Sequence, residues 1–494
     1  MRRRHAPLAA SFAGICRSCS VKSMTLEDLI PVLSPWLAET PARGAAVEVS
    51  GATWDSREVV PGMLFCAVKG AVTDGNRFIS NALSAGAVAV VSDAPEAFAC
   101  AVPVLRVRPG TGYVVCGRIA EALAGHPAKK LRLIGITGTC GKTTTAYVLR
   151  DILRGAGMAV GMIGTVVYDV GQGIEREADR TTPTPFELQR LFAEMVANGV
   201  THVVMEVSSA ALDQERMGSA RFAAAAFTNF SRDHLDYHGT MENYFQAKRK
   251  LFAEFLEPGA AAVINIDDEA GRRLLAELAQ GSSARLMPFS LNGNAPRFRT
   301  NLPGQFNLYN ANCAGILAKS LEVELQVIEN QLLTTNGAPG RLQRVSCPNG
   351  VVAFVDYAHT PEEIAKALEA LRPLCGGRLA ILFGCGGDRD RGKRPQMAAA
   401  AAAGADVVWL TSDNPRTEDP LAILADVRAG LPAGTVFHEE PDRRAAIRLA
   451  VQSLSKGDFL LVAGKGHENY QEINHVKHPG SDFDILEELC HADR

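Results

Sequence analysis

The sequence predicts an α/β protein of three domains, and three observations support this fold class. The chain has 494 residues, which is enough for several separate hydrophobic cores. Short apolar segments typical of strands alternate with helical segments over most of the chain. Polar or glycine-rich turns follow the apolar segments. This alternation predicts parallel sheets with helices on both faces, and it places ligands at the carboxyl ends of the strands.

Residues 1–23 are basic, contain no acidic residue and include several serine and small side chains. Three interpretations remain open: an organelle transit peptide, a weak secretory signal, or translation upstream of a start at Met24. The apolar stretch of this segment is short and is interrupted by Pro7 and Gly14, which argues against a secretory signal. We therefore expect residues 1–23 to be a disposable extension.

The first domain is predicted over residues 24–128. Short strands are expected within 47–70 and 87–93, and a helix within 78–87. The polar, proline-containing linker 125–130 has the composition of a domain boundary.

The second and third domains are predicted over 129–337 and 338–494. Both repeat an alternation of strand and helix, and each strand of the third domain ends in a polar or glycine-rich turn. The predicted strands are 133–137, 161–170, 202–209, 351–358, 378–386, 405–413 and 459–466, and the helices of the second domain include 148–157 and 185–199.

Composition excludes several classes of protein. No apolar run approaches the roughly 18 residues that cross a bilayer, so no membrane span is predicted. The net charge of −3 argues against general nucleic-acid binding. The eleven cysteines are scattered, and only Cys16 and Cys19 have a C-x-x-C spacing. This pattern favours a reducing cytoplasm over a disulfide framework.

The segment Leu133–Thr145 (LIGITGTCGKTTT) joins an apolar strand to a helix through a glycine-rich turn. Backbone N–H groups and the helix N-terminus point at one place there, and a lysine and threonine hydroxyls add to them. The pattern predicts a seat for the triphosphate of ATP and its magnesium ion. It is a variant, because the strict motif has glycine at the position of Ile136; a plain glycine turn is the alternative. The residues of the predicted seat are Gly138, Thr139, Cys140, Gly141, Lys142, Thr143 and Thr144.

Polar side chains follow other strands of the second domain. Glu206 comes after an apolar strand and before two serines, which suits either a magnesium ligand or a helix cap. Ionisable residues fill most of positions 233–238, a density that by itself could indicate a metal cluster. Lys248 lies four residues after Tyr244 on a predicted helix, where a lysine is more often a surface residue.

These segments occur with others in one order over most of the chain after Met24. They are GTCGKTTT, EVSS, DHLDYHG with AK, GQFNLYN, PGR, DYAHTPEE, GCGGDRDRGKRPQM, DNPRTE and AGKGHENYQ. In this joint order the sequence resembles the Mur ligases. The resemblance implies a small N-terminal α/β domain, a central phosphate-loop ATPase-like parallel sheet and a C-terminal Rossmann-like domain.

The resemblance also implies an activity. Mur ligases form an amide by transferring the γ-phosphoryl group of ATP to a carboxylate, after which an amine attacks the acyl phosphate. The expected substrates are UDP-N-acetylmuramoyl-L-alanyl-D-glutamate and meso-diaminopimelate, in peptidoglycan synthesis. We expect a cytoplasmic monomer that uses ATP and Mg²⁺ and binds no nucleic acid.

By the same resemblance, Lys142, His234 and Lys248 are the catalytic residues. Thr143 and Glu206 would hold one magnesium ion, and His234 and Lys248 would serve a second. Lys248 corresponds to the lysine that in this family carries a carbamate formed from carbon dioxide. Further nucleotide contacts are implied for Asn307, Asn310, Asp356 and His359.

The resemblance implies substrate contacts for two groups of residues. The muramoyl peptide and its uridine end would meet Trp54, Ser56, Thr181, Thr182, Ser208, Gln214 and Arg216. The amino acid would meet Arg389, Asp413, Asn414, Pro415, Arg416, Gly464 and Glu468. In this family an arginine at the position of Arg416 goes with diaminopimelate, whose second carboxylate it can grip in bidentate fashion. An exposed loop arginine is the alternative.

Three features depart from the family pattern: Ala210 where a histidine is common, Cys140 where asparagine or serine is frequent, and a short stretch at 267–303. Rival interpretations are another amide ligase of this fold, such as a folylpolyglutamate synthase or the D-alanyl-D-alanine-adding Mur ligase, and a non-catalytic scaffold similar to some plastid homologues. The first should lack DNPR and GKGHE. The intact metal and phosphate residues argue against the second.

Overall fold

The computed structural model describes residues 24–39, 46–70, 73–95, 100–292, 297–347 and 349–491. The predicted extension 1–23, with Cys16 and Cys19, therefore lies outside the described residues. The chain divides into two compact units: residues 1–295 with 316–325, and residues 296–315 with 326–494. Both contain parallel sheets and helices. The α/β fold class is confirmed, while the domain boundaries stay predictions.

The first sheet lies in the N-terminal part of the first unit and has four parallel strands in the order β3-β4-β5-β6. A short antiparallel pair, β1 and β2, precedes it. The strands are β1 Met24–Thr25, β2 Glu48–Val49, β3 Gly51–Thr53, β4 Met63–Ala67, β5 Ala89–Ser92 and β6 Val104–Arg106. The helices are α1 Leu26–Leu33, α2 Ile79–Ser84 and α3 Gly112–Leu123, with 3₁₀ helices at Gly75–Phe78 and Pro127–Lys130.

The central sheet of the first unit has eight strands in the order β10-β9-β8-β11-β7-β12-β13-β14. The six strands from β8 to β14 in this order are parallel, and β9 and β10 add an antiparallel edge. The strands are β7 Arg132–Thr137, β8 Val160–Ile163, β9 Val167–Asp169, β10 Glu175–Glu177, β11 His202–Glu206, β12 Phe222–Phe227, β13 Leu256–Asn265 and β14 Arg285–Phe289. The helices are α4 Lys142–Gly155, α5 Pro185–Ala197, α6 Ser209–Asp213, α7 Leu235–His238, α8 Met241–Ala253 and α9 Glu269–Leu278.

The register of the central sheet brings three strand ends together. Glu206 at the end of β11 is paired with Ile136 in β7, and Phe227 at the end of β12 is paired with Thr137. The segments that follow β7, β11 and β12 therefore emerge side by side at one edge of the sheet.

One predicted strand of this domain is wrong. Residues 161–170 were expected to form a single strand, but the chain turns after Ile163 and returns as β9, antiparallel to β8. The turn contains Gly164, where a Cβ atom would collide with Glu206 Oε1. Glycine at this turn leaves room for the side chain of Glu206, a distant residue, and period-2 patterning cannot reveal such a contact.

The sheet of the second unit has six strands in the order β15-β16-β20-β17-β18-β19, all parallel except the edge strand β15. A separate antiparallel hairpin, β21–β22, follows. The strands are β15 Gln343–Ser346, β16 Val352–Asp356, β17 Leu379–Phe383, β18 Val407–Leu410, β19 Phe437–Glu439, β20 Phe459–Ala463, β21 Tyr470–Ile473 and β22 Val476–Pro479. The helices are α10 Gln305–Ser320, α11 Leu325–Thr334, α12 Pro361–Leu371, α13 Lys393–Gly404, α14 Pro420–Arg428, α15 Arg443–Ser453 and α16 Asp482–His491, with a 3₁₀ helix at Arg372–Leu374.

One disulfide departs from the expectation of reduced thiols. Cys347, just after β15, is bonded to Cys490 in α16, with their Cα atoms 4.5 Å apart. The two cysteines are 143 residues apart in sequence, so cysteine spacing could not reveal the pair. Among the described residues, no helix combines the length and apolarity that crossing a bilayer requires.

A buried ion pair joins two helices of the second unit. The Arg443 guanidinium donates from Nε and Nη2 to the two carboxylate oxygens of Asp482, each at 2.7 Å. Nη2 also donates to Ala463 O at the end of β20. Because both partners are almost completely buried, removing one would leave an uncompensated charge in the interior.

We expect Arg443→Ala to lower the free energy of unfolding by about 3–5 kcal/mol, because Asp482 keeps its buried charge. The matched control is Arg444→Ala, whose guanidinium pairs with Glu488 on the surface and should cost about 1 kcal/mol or less. Urea denaturation followed by circular dichroism measures both. Equal losses for the two variants would contradict a stabilising role specific to the buried pair.

Candidate active site

The glycine-rich loop 138–141 connects β7 to helix α4, as predicted. Gly138 and Gly141 have φ angles of +148° and +84°, in the region that favours glycine. A Cβ atom at Gly138 would collide with Thr228 Oγ1. Glycine is therefore required at this position by backbone conformation and by space.

The residues after β12 fasten this loop. Asn229 Oδ1 accepts a hydrogen bond from Cys140 N at 2.8 Å, and Cys140 O accepts one from Thr228 Oγ1 at 2.7 Å. Asn229 O also accepts from Thr139 N at 2.9 Å. Thr228 and Asn229 were not predicted, although both directly follow an apolar strand, the same signal that identified Glu206.

Glu206 has a buried carboxylate surrounded by hydroxyl groups. The residue is only 1% exposed. Its Oε2 accepts hydrogen bonds from Thr143 Oγ1 at 2.9 Å and from Thr165 Oγ1 at 3.1 Å, and its Oε1 accepts one from Thr165 N at 2.9 Å. Carboxylate and hydroxyl oxygens are the hard ligands that magnesium prefers. The donor set fits the predicted ion, and Thr165 belongs to it although sequence reasoning did not find it.

Two lysines share one carbonyl oxygen of the loop. Lys142 Nζ donates to Gly138 O at 2.9 Å and to Thr139 O at 2.8 Å. Lys248 Nζ, from helix α8, donates to the same Gly138 O at 2.7 Å. The loop carbonyl therefore holds two catalytic candidates that lie more than 100 residues apart in the sequence.

Lys248 is buried, so the surface interpretation of this residue is wrong. It is 1% exposed, and its Nζ lies 4.5 Å from the centre of the Tyr244 ring. Burial, and next the positive charge of Lys142, hold the pKa of Lys248 well below its usual value. Both causes favour the uncharged amine, which is the form that acts as a nucleophile.

His234 is a second neighbour of Tyr244. Its backbone is left-handed, with φ +50°, and its ring lies 5.9 Å from the Tyr244 ring between centres. Its side chain is 58% exposed, and Nε2 is 3.5 Å from Asp233 Oδ2. His238 contacts Ser209 Oγ at 2.9 Å instead. Among the described residues no three His, Cys, Asp or Glu side chains converge as metal ligands, so segment 233–238 is not the compact cluster its composition suggested.

The residues predicted to meet the muramoyl peptide form a network around Glu206. Thr182 Oγ1 donates to Glu206 O at 2.8 Å and accepts from Ser208 N at 3.0 Å. Arg216 donates from Nη1 to Thr182 O at 2.7 Å and from Nε to Gln214 Oε1 at 2.9 Å. Burial lowers the pKa of Arg216 to about 10. This network places a buried arginine and polar groups beside the magnesium candidates.

The other predicted substrate residues of the first unit have mixed environments. Thr181 Oγ1 lies 3.1 Å from Thr165 Oγ1, next to Glu206. Trp54 packs edge-on against Tyr113 and Phe186, with ring centres 5.8 and 6.0 Å apart, and so contributes to the apolar core. Ser56 lies half-buried in the turn after β3. Thr181 thus adjoins the network around Glu206, whereas Trp54 packs against an apolar core.

The predicted nucleotide residues of the second unit are engaged locally. Asn307 Nδ2 donates to Pro303 O at 2.8 Å, and Asn310 Nδ2 donates to Asn307 Oδ1 at 3.2 Å, as their spacing on one helix predicts. Both oxygens of Asp356 accept backbone N–H groups, from Leu342 at 2.7 Å and from Ala358 at 2.8 Å. Burial raises the pKa of Asp356. This carboxylate shapes the chain after β16 in the structure.

His359 lies at the start of helix α12. Its Nδ1 is 2.9 Å from Tyr357 O, and its backbone N donates to Glu363 Oε2 at 3.0 Å. Thr360 caps the helix by accepting from Glu363 N, as the sequence TPEE predicts. The segment TPEE therefore begins the helix, as expected.

The predicted amino-acid pocket is gathered at the ends of β18 and β20. Asn414 Nδ2 donates to Glu468 Oε2 at 2.7 Å, and Asp413 Oδ1 accepts from Asn414 N at 2.6 Å. Gly464 has φ +111°, and a Cβ atom there would lie 2.7 Å from Asp413 Oδ2. Burial raises the pKa of Glu468. These four residues form one polar group, whereas Arg389 is exposed.

Arg416 is held between two neighbours. Its Nη1 donates to Gly387 O at 2.7 Å, and its Nε lies 3.3 Å from Glu472 Oε2. Its side chain is 21% exposed, so the interpretation as a solvated loop arginine is wrong. Pro415, the preceding residue, accepts a backbone hydrogen bond from Glu418 N at 3.0 Å. Glu472 was not identified from the sequence, because it lies outside every motif that carried the resemblance.

Comparison with known families agrees with this arrangement. Residues 48–127 match "Mur ligase family, catalytic domain", residues 136–299 match "Mur ligase middle domain", and residues 340–466 match "Mur ligase, glutamate ligase domain". The chain belongs to the Mur ligase family. The matched segments cover most of the described residues and include the loop, Glu206, Lys248 and Arg416.

Similar Mur ligases are known from several bacteria. The UDP-N-acetylmuramoyl-L-alanyl-D-glutamate–2,6-diaminopimelate ligase of Gloeobacter violaceus is 43% identical, over 87% of this chain and 91% of its own length. The ligase of the same name from Chlorobaculum tepidum is 41% identical, over 94% and 97%. Over nearly their full lengths, then, these ligases are similar to this chain.

Solved structures extend the comparison. A structure of a UDP-N-acetylmuramoyl-L-alanyl-D-glutamate–2,6-diaminopimelate ligase has a TM-score of 0.68 and 32% identity, covering 95% of this chain and 99% of its own. The MurF ligase from Thermotoga maritima in complex with ADP has a TM-score of 0.54 and 17% identity, covering 90% and 97%. At that identity the second likeness shows the fold alone.

Proposed function

We propose that the protein joins meso-diaminopimelate to the D-glutamyl carboxylate of UDP-N-acetylmuramoyl-L-alanyl-D-glutamate and uses ATP to do so. The observation that carries the proposal is the convergence of Lys142 and Lys248 on Gly138 O, next to the Glu206 and Thr143 oxygens. This group combines cations for a phosphoryl group with hard ligands for magnesium. The names of the similar ligases support the choice of substrates.

The proposed reaction has two steps. An oxygen of the D-glutamyl carboxylate attacks the γ-phosphorus of ATP and forms an acyl phosphate, and ADP leaves. The amine of diaminopimelate then attacks the acyl carbon, an amide bond forms, and phosphate leaves with its pair of electrons. Negative charge develops on the transferring phosphoryl group and then on the tetrahedral carbon, so positioned donors accelerate both steps.

We assign this stabilisation to the loop and its lysine. The backbone N–H groups of the loop and the start of helix α4 favour an anion. Lys142 adds a positive charge, and its present bonds to Gly138 O and Thr139 O keep its amine at the loop. Thr144 lies in the first turn of the same helix. Asn307, Asn310, Asp356 and His359 are assigned to nucleotide binding by family resemblance.

Magnesium, when bound, would neutralise phosphate charge. Thr143 and Glu206 would hold one ion, with Thr165 as a further oxygen donor beside them. His234 and Lys248 are assigned to a second ion. Lys248 suits this role only as a carbamate, because a carbamate oxygen is an anionic ligand whereas an ammonium repels a cation.

The amino-acid pocket supports diaminopimelate over other amines. The Glu468 carboxylate can receive an ammonium group, and the Arg416 guanidinium can receive a carboxylate. The segments DNPR and GKGHE that supply these residues argue against a folylpolyglutamate synthase or the D-alanyl-D-alanine-adding ligase. We infer a cytoplasmic site of action, and we expect the protein to be a monomer.

Lys142→Ala should lower turnover at least about 100-fold, because one preorganised charge is lost from the phosphoryl-transfer step. Phosphate release with ATP, magnesium, the UDP-muramoyl dipeptide and meso-diaminopimelate measures it. Lys130→Ala, a change at an exposed lysine of the same unit, should leave turnover unchanged. If purified, folded parent protein released no phosphate with these substrates, the proposed function would be wrong.

The proposed carbamate can be observed directly. With ¹³C-bicarbonate, the parent protein should show a carbamate carbon signal in its ¹³C NMR spectrum, and Lys248→Arg should lack that signal and most turnover. Lys250→Arg, on the same helix, should keep both. An identical signal in the Lys248→Arg protein would place the carbamate elsewhere.

Arg416→Ala should raise the KM for meso-diaminopimelate about 10- to 100-fold, because a charge-assisted interaction is worth about 1.5–3 kcal/mol. The KM for ATP should stay within twofold. Since L-lysine lacks the second carboxylate, its poor use should change little. Arg444→Ala is the control, being an exposed arginine of the same unit. Unchanged use of diaminopimelate by the Arg416→Ala protein would refute the pocket assignment.

A further inference from the structure

The hairpin β21–β22 is fastened to the segment 413–416 that carries the predicted amino-acid pocket. Gln471 Nε2 donates to Asp413 O at 2.5 Å, and Glu472 N donates to Asn414 Oδ1 at 2.8 Å. Arg416 N donates to Glu472 O at 3.0 Å. The strand β21 thus supplies a partner for three of the four pocket residues of this segment.

Glu472 contacts this segment through backbone and side chain. Its N–H group donates a hydrogen bond to Asn414 Oδ1. The amide nitrogen of Asn414 therefore faces Glu468 Oε2, to which it donates at 2.7 Å. Its carboxylate lies 3.3 Å from Arg416 Nε. One residue therefore orients a group assigned to the ammonium end of the amino acid and a group assigned to its carboxylate end.

A second support of Arg416 comes from Gly387. Gly387 O accepts from Arg416 Nη1 at 2.7 Å, and Gly387 N donates to Asn414 O at 2.9 Å. Next to it, Thr417 Oγ1 donates to Asp388 Oδ1 at 2.8 Å. Nε and one N–H of Nη1 thus face protein oxygens, and the guanidinium has further N–H groups that can serve a ligand.

The charges of this site are matched to one kind of ligand. The Arg416 guanidinium has a fixed planar set of donors, so a carboxylate at Nε fixes the direction in which the other donors point. Both side chains are largely buried, at 21% and 24% exposed, which limits screening by solvent. A ligand with an ammonium group at one end and a carboxylate at the other complements Glu468 and the remaining N–H groups of Arg416.

We propose that Glu472 is a positioning residue for amino-acid specificity: its carboxylate holds Arg416 Nε, so that the remaining guanidinium N–H groups face the distal carboxylate of a diamino dicarboxylic acid. The inference rests on the proposed function, because it concerns the same pocket. Glu472 acts through Arg416 and makes no contact with the reacting atoms.

Glu472→Gln tests this role, because it keeps the backbone contacts and the side-chain size but removes the charge. The KM for meso-diaminopimelate should rise about fivefold, the effect of about 1 kcal/mol, which is the upper range for such a pair. The kcat and the KM values for ATP and the muramoyl dipeptide should stay within twofold. In an Arg416→Ala background, Glu472→Gln should have no further effect on the KM for diaminopimelate.

Glu488→Gln is the matched control, since Glu488 also pairs with an arginine of this unit but lies on α16. Its KM values should equal those of the parent. The inference is overturned if Glu472→Gln changes all KM values alike, changes none, or still costs fivefold when Arg416 is alanine. A parent protein that does not use diaminopimelate overturns the proposed function and this inference together. If the parent uses it and Arg416→Ala impairs that use, the function stands and Glu472→Gln alone decides.

Discussion

The candidate site depends on the hydrogen bonds that the carbonyl oxygen of Gly138 accepts. It accepts hydrogen bonds from Lys142 and from Lys248, and so fixes two amines from different helices at one loop. The carbonyl can point this way because Gly138 adopts φ +148° and has no Cβ to collide with Thr228. Glycine at this position therefore allows one carbonyl oxygen to accept from both lysines.

The parallel register of the central sheet brings the other ligands to this loop. The strands β11 and β12 lie on either side of β7, and all three end at the same edge. Glu206 reaches Thr143 from one side, and Asn229 holds the loop from the other. The pairing of the strands thus brings together residues that are 60 to 90 positions apart in the sequence.

Local patterns predicted much of this arrangement and missed what depends on pairs of distant residues. The apolar segments predicted the strands, and the glycines next to Lys142 predicted the loop. The position of Glu206 directly after a strand predicted its place in the site. The close approach of Gly164 to Glu206, the disulfide Cys347–Cys490 and the burial of Lys248 each involve residues that no local window contains together. Thr165 was missed for the same reason, and Glu472 was missed because it lies just beyond the last motif.

The shared carbonyl also bears on the chemical state of the two lysines. Two ammonium groups bound to one oxygen repel each other, and the repulsion is strongest where solvent is excluded. Lys248 is the more deeply buried of the two, so the cost of charging falls mainly on its amine. Converting that amine into the proposed carbamate would place a negative group beside Lys142 and would replace repulsion by attraction. The positive charge of Lys142, which disfavours a second cation at Gly138 O, therefore favours an anionic group at Lys248.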